Sequence, residues 1–99
     1  MTDAAGNAAP GLLKRTLAIA NKRGLHARAA AKFVRTAGQF DAAVRVSFKG
    51  QEVSGLSIMG LMMLAAGIGS SIELLCTGRQ AGEAMAALAA LVEGKFGED

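Results

Sequence analysis

One histidine, His26, and one cysteine, Cys76, are the only imidazole and the only thiol in 99 residues, so the choice of chemistry is narrow. A catalytic or structural zinc needs three or four side-chain ligands, and this pair fifty residues apart cannot supply them. Cys76 alternates with Ile72 and Leu74 on the apolar side of a strand-like run, the place of a buried structural thiol rather than a nucleophile. Gly67 and Gly69 lack the lysine and spacing of a nucleotide-binding loop. What remains is the segment Gly24-Leu25-His26-Ala27-Arg28. It places the imidazole at the start of a helix, where unpaired N–H groups and the positive end of the dipole converge. Arg28 adds a forked donor for an oxyanion within the same turn. Ala27, Ala29, Ala30 and Ala31 leave the approach to the ring open. A neutral ring nitrogen beside such a pocket suits nucleophilic attack on phosphorus, followed by storage of the phosphoryl group. No carboxylate lies near in sequence to act as a base, and attack by neutral imidazole needs none.

The elements that must hold this segment follow from periodicity. Residues 1–12 read as a flexible N-terminal tail, small and polar and without period, and 13–99 as one domain. Lys14 to Ala20 alternates as a strand, and Asn21-Lys22-Arg23-Gly24 makes a turn. A helix then runs from His26 to about Gly38, with Ala27, Ala30, Phe33, Val34 and Ala37 inward and Arg28, Lys32 and Arg35 in water. Ala43 to Phe48 and Glu52 to Ser54 form a hairpin across Lys49-Gly50-Gln51. Ser57 caps a second helix over Ile58 to Ala66, which Gly67 and Gly69 end. Ser70 to Thr77 is a fourth strand, and a third helix spans Gln80 to Lys95 with the stripe Ala81, Ala84, Met85, Leu88, Leu91 and Val92. This order predicts a two-layer α+β domain, a four-stranded antiparallel sheet covered on one face by three helices.

Composition bounds the function. Of the 52% hydrophobic residues 21 are alanine, which leaves core material for one thin layer of helices on one sheet. With no Trp or Tyr and a net charge of +3 spread along the chain, neither a base-stacking platform nor a phosphate-tracking stripe exists, which argues against nucleic acid. The most apolar stretch, Ile58 to Ile68, is far shorter than the ~20 residues a membrane-spanning helix needs. A lone cysteine and the lack of a signal pattern predict a cytoplasmic protein. No cofactor or metal is expected.

Gly24-Leu25-His26-Ala27-Arg28, followed by Phe33-Val34, resembles the active-site segment of the HPr family, phosphocarriers of the bacterial phosphotransferase system. Ser57-Ile58-Met59-Gly60-Leu61-Met62-Met63-Leu64 resembles the regulatory-serine helix of the same family, at a matching separation. The likeness extends from about Lys14 to the Gly97-Glu98 ending. It implies the open-faced β-sandwich fold and phosphorylation of His26 at Nδ1 by phosphorylated enzyme I. It also implies transfer onward to an acceptor such as an enzyme IIA domain, by a monomeric carrier that is not a turnover enzyme. Arg28 matches the phosphate-contacting arginine, and Ser57 the serine phosphorylated by an HPr kinase/phosphorylase in many bacteria. Ile58, Met59 and Met62 match positions that contact enzyme I and other partners. An exposed apolar patch with flexible Met side chains is suited to docking in any case.

One residue departs from the pattern. Ala29 stands where the family usually has proline, so the first helical turn loses a preset φ while the helix itself is kept. This variant resembles HPr-like proteins of alphaproteobacteria and points to a nitrogen-related or regulatory branch. Two other readings compete. One is a regulatory adaptor whose Ser57 phosphorylation state controls binding to a kinase or transcription factor, and the presence of His26 and Arg28 argues against that as the sole role. The other is an unrelated small binding module.

Overall fold

The computed structural model describes residues 11–98. Most of the expected tail, residues 1–10, lies outside the described residues, as does Asp99. The elements follow in the order β1 (Leu13–Ala18), α1 (Ala27–Ala37), β2 (Ala43–Phe48), β3 (Gln51–Ser54), α2 (Ile58–Met63), β4 (Ser71–Thr77) and α3 (Ala81–Glu93). A short turn, Lys95–Gly97, follows α3.

All strand pairs are antiparallel, and the sheet order is β1-β4-β2-β3. β1 and β2 therefore run parallel with β4 between them, and β3 and β4 run parallel with β2 between them. Each pair is joined through a helix, so two split β-α-β units interlock. The hairpin between β2 and β3 turns on Lys49 and Gly50, both at positive φ, the requirement of a tight two-residue turn.

The period-two pattern puts Leu17, Val44, Val46, Ile72, Leu74 and Cys76 on one face of the sheet, all buried under the helices. α3 contributes Ala84, Met85, Leu88, Ala89 and Val92, and α1 contributes Ala29, Ala30, Phe33 and Ala37. The alanines let the helices lie close, while Phe33 and Phe96 fill the largest volumes among the fully buried side chains. Cys76 is fully buried, and burial pushes its thiol up, away from the reactive thiolate.

The stripe of α1 is rotated from expectation. Ala27 is exposed and Val34 half-buried, while Ala29 takes the inward place. Lys32 is not a solvated lysine; its Nζ donates to the Phe96 carbonyl at 2.6 Å. In α3, Leu91 is only half-buried and Ala89 lies inside instead. α2 is shorter than its apolar run. It stops at Met63 because Ala65, at φ 56, turns the chain left-handed before Gly67 is reached. Apolarity marked the length of the run but not the point at which the chain must turn back to β4.

Candidate functional site

His26 sits at the N-cap of α1 with extended backbone angles, φ −72 and ψ 177. Its carbonyl accepts the first helical bond from Ala30 N at 2.8 Å, but its side chain caps nothing. The first-turn N–H groups of α1 thus have no side-chain partner from the cap residue and point toward the ring's end of the helix.

The loop that carries His26 is fixed from beneath. Gly24 lies at φ 63, and a Cβ there would stand 2.6 Å from the Ala66 carbonyl oxygen, so only glycine fits this approach. Leu25 N donates to the same Ala66 oxygen at 3.1 Å. Three residues further along that loop, Gly69 N donates to Ile19 O at 2.9 Å. The segment between α2 and β4 therefore anchors the segment between β1 and α1.

Two residues that the local sequence did not single out complete the site. His26 Nε2 is hydrogen-bonded to Oε2 of Glu98, 72 residues further along the chain. Both side chains are largely withdrawn from water, with 18% of the His26 side chain and 12% of the Glu98 side chain exposed. Asn21, fully buried, donates through Nδ2 to Gly24 O at 2.8 Å and to Glu98 Oε1 at 3.1 Å. One amide thus ties the turn before His26 to the carboxylate beside it. Asn21 Oδ1 has no hydrogen-bond partner among the described residues, where the amide is oriented by what its nitrogen donates to. Burial pushes the Glu98 carboxyl up, but bonds from Asn21 and His26, with the charges of His26 and Lys32, outweigh it and hold the group below its ordinary value.

Glu98 reaches this place because the chain after α3 makes a left-handed turn. Lys95, Phe96 and Gly97 all have positive φ, at 60, 56 and 74. For the two non-glycine residues that costs about 1–2 kcal/mol each. Phe96 is 1% exposed in the core, and its carbonyl takes the Lys32 ammonium, which offsets the strain.

Arg28 is exposed, and its side chain makes none of the ion pairs found among the described residues. It stands in the first turn as the sequence pattern indicated, available to an incoming anion. Ser57 is the N-cap of α2, its Oγ accepting from Gly60 N at 2.9 Å. Ile58 (40%), Met59 (66%) and Met62 (37%) are exposed, with Leu56, Met63 and Ile68 extending the same apolar character. Leu61 and Leu64 face the core. α1 and α2 pack against one another. Among the described residues no helix is long and apolar enough to cross a membrane.

The chain is similar to known proteins along most of its length. Residues 13–94 match the sequence profile described as the PTS HPr component phosphorylation site. The phosphocarrier protein HPr of Cupriavidus necator is 52% identical over 88% of this chain and 98% of its own. The phosphocarrier protein NPr of Shewanella violacea is 44% identical over 87% of this chain and 94% of its own. Among solved structures, HPr-C-His from Thermoanaerobacter tengcongensis superposes with a TM-score of 0.84 at 42% identity, covering 88% of this chain and 98% of that one.

Proposed function

From the premise that this chain belongs to the HPr family and is a phosphocarrier of the phosphotransferase system, we propose that His26 carries the phosphoryl group. The observation behind this reading is an imidazole at a helix N-cap that it does not itself satisfy, with Arg28, in the first turn of the same helix, making none of the ion pairs found among the described residues. Nδ1 of His26 attacks the phosphorus held by enzyme I. A bond forms between Nδ1 and phosphorus as the bond to the donor's leaving group breaks, and the bonding pair departs with the donor. First-turn N–H groups of α1 and the Arg28 guanidinium take up the phosphoryl oxygens. The same contacts stabilise the product, so the group waits for an acceptor such as an enzyme IIA domain. The protein is a carrier rather than a turnover enzyme, acting as a cytoplasmic monomer.

The apolar patch of Ile58, Met59 and Met62 docks both partners. Its nearness to His26 through the α1–α2 packing supports this, because a partner seated there covers the phosphoryl site. Phosphorylation of Ser57 by an HPr kinase/phosphorylase places charge at the edge of that patch and so regulates docking. Incubation with enzyme I and phosphoenolpyruvate tests the reading. The wild type gains acid-labile phosphate and His26→Ala gains none while melting like the wild type. Labelling that persists in His26→Ala removes this residue from the role.

A further inference from the structure

Glu98 enters the site from the far end of the chain, and three independent features hold it there. Phe96 anchors the left-handed turn in the core, Lys32 ties down the Phe96 carbonyl, and Asn21 grips the carboxylate through Oε1. The other oxygen, Oε2, is left for Nε2 of His26. We propose that Glu98 is a positioning residue for phosphoryl transfer: its carboxylate keeps the proton on Nε2 of His26, so that Nδ1 carries the attacking lone pair and the ring later departs as neutral imidazole.

The inference rests on the reading of His26 as the phosphoryl carrier. A carboxylate only accepts hydrogen bonds, so a ring nitrogen that faces it must carry hydrogen. The other nitrogen, Nδ1, then has the free pair in the neutral ring. When Nδ1 bonds to phosphorus the ring becomes cationic with its proton still on Nε2, and the carboxylate lies against the developing charge. In the onward step the Nδ1–phosphorus bond breaks and its electron pair returns to Nδ1. Because Nε2 has kept its proton throughout, the group that leaves is neutral imidazole and not the far more basic imidazolate. No proton is exchanged with water in either direction.

Asn21 and Lys32 complete the surroundings. Asn21 supplies a donor and no charge, and Lys32, whose ammonium is bonded to the Phe96 carbonyl, adds a positive charge that helps keep Glu98 ionised. The tie from Asn21 to both Gly24 O and Glu98 Oε1 fixes the carboxylate relative to the loop that bears the ring. This is the arrangement by which a carboxylate behind a histidine selects its tautomer and orientation.

Proton and nitrogen NMR of the full chain, together with transfer kinetics from enzyme I, test the assignment. In the wild type the His26 ring shows a protonated Nε2, with a low-field proton protected from exchange. In Glu98→Ala that proton exchanges with water and is lost from the spectrum. The turnover number for phosphoryl acceptance falls about tenfold, while the KM of enzyme I for the carrier is unchanged. Glu98→Gln keeps an acceptor without charge, so it falls between the two, and it carries the test should Glu98→Ala melt early. Turnover and ring-nitrogen shifts equal to wild type in both variants overturn the inference. So does a loss expressed only in KM, which would make Glu98 a docking residue. A wild type that takes no phosphate overturns the carrier reading as well, whereas a wild type that takes phosphate at a rate Glu98 does not influence overturns this inference alone.

Discussion

Two helices of this domain begin in opposite ways. At α2 the cap residue satisfies its own helix: Ser57 Oγ accepts from Gly60 N, three residues away, and nothing distant is needed. At α1 the cap residue leaves its helix unsatisfied, and its ring is held instead by Glu98, which reaches it from 72 residues away. The first start is a local structure with an apolar surface beside it. The second keeps its donors open and relies on remote parts of the fold to aim its side chain. A residue that must react cannot also serve as a cap, so its orientation has to come from elsewhere.

The largest expected effect breaks the remote arrangement. Phe96 is a fully enclosed aromatic whose removal costs about 3–5 kcal/mol, and it is what draws the left-handed turn into the core. Phe96→Ala therefore lowers the melting temperature strongly and frees Glu98 from His26, while the Ser57 cap bond to Gly60 survives. Thermal unfolding measures the first, and exchange of the Nε2 proton the second. A variant that melts early but keeps the protected ring proton would show that the turn holds Glu98 without its anchor.

A smaller loss is expected at Arg28, which contributes nothing to either cap and is exposed. A charge-assisted bond to an oxyanion is worth about 1.5–3 kcal/mol, so Arg28→Ala slows transfer roughly ten- to a hundredfold. Melting should not change. Equal rates for the two proteins in the enzyme I assay would leave the first-turn N–H groups as the whole phosphate site.

The start of α2 responds the other way round. Ser57→Ala removes a cap worth about 1 kcal/mol, a fall of about 4–8 °C in a domain of this size, with phosphoryl acceptance unchanged. Phosphoserine at the same position keeps an acceptor and adds about −1.5 to −2 charge at a helix N-terminus, where it is favourable. Stability then holds or rises while affinity for enzyme I drops, because the charge lies beside Ile58, Met59 and Met62. Calorimetric binding with a melting curve for each form separates these outcomes, and unchanged affinity would detach Ser57 from docking.

The same contrast explains what the sequence made legible. Local patterns identified the strands, the Ser57 cap, the inward Ile72, Leu74 and Cys76, and the exposed Ile58, Met59 and Met62. They also put His26 and Arg28 in one helical turn. They read Asn21 as part of a turn, which its bond to Gly24 O bears out, and Lys32 as a solvated charge; the bonds from Asn21 to Glu98 and from Lys32 to Phe96 had no local signal, because those partners lie more than sixty residues away. Glu98 was legible only as part of an ending shared with a family. The rotation of the α1 stripe had no signal, since Ala27, Ala29, Ala30 and Ala31 are identical in hydrophobicity and only packing chooses among them. The early end of α2 at Ala65 was hidden for a related reason: alanine favours helix, and the left-handed turn there is imposed by the path to β4.

The smallest expected effect tests whether the remote arrangement is also an electrostatic one. Glu98 is held below its ordinary value in the folded protein, through bonds from Asn21 and His26 and the nearby charges of His26 and Lys32. An unfolded glutamate titrates at about 4.3. The folded protein then binds fewer protons than the unfolded one just below that pH, and protons favour unfolding. The stabilisation from Glu98 is therefore complete above pH about 5, begins to fall near 4.3, and is gone once the pH passes below the folded value. Ser57 and its cap have no titrating group, so α2 supplies no such slope. Chemical denaturation of wild type and Glu98→Gln across pH 3 to 6 gives the difference directly. A gap that narrows on acidification below about 4.3 supports the ionised contact, whereas a gap constant with pH would mean that Glu98 contributes by shape and hydrogen bonding alone.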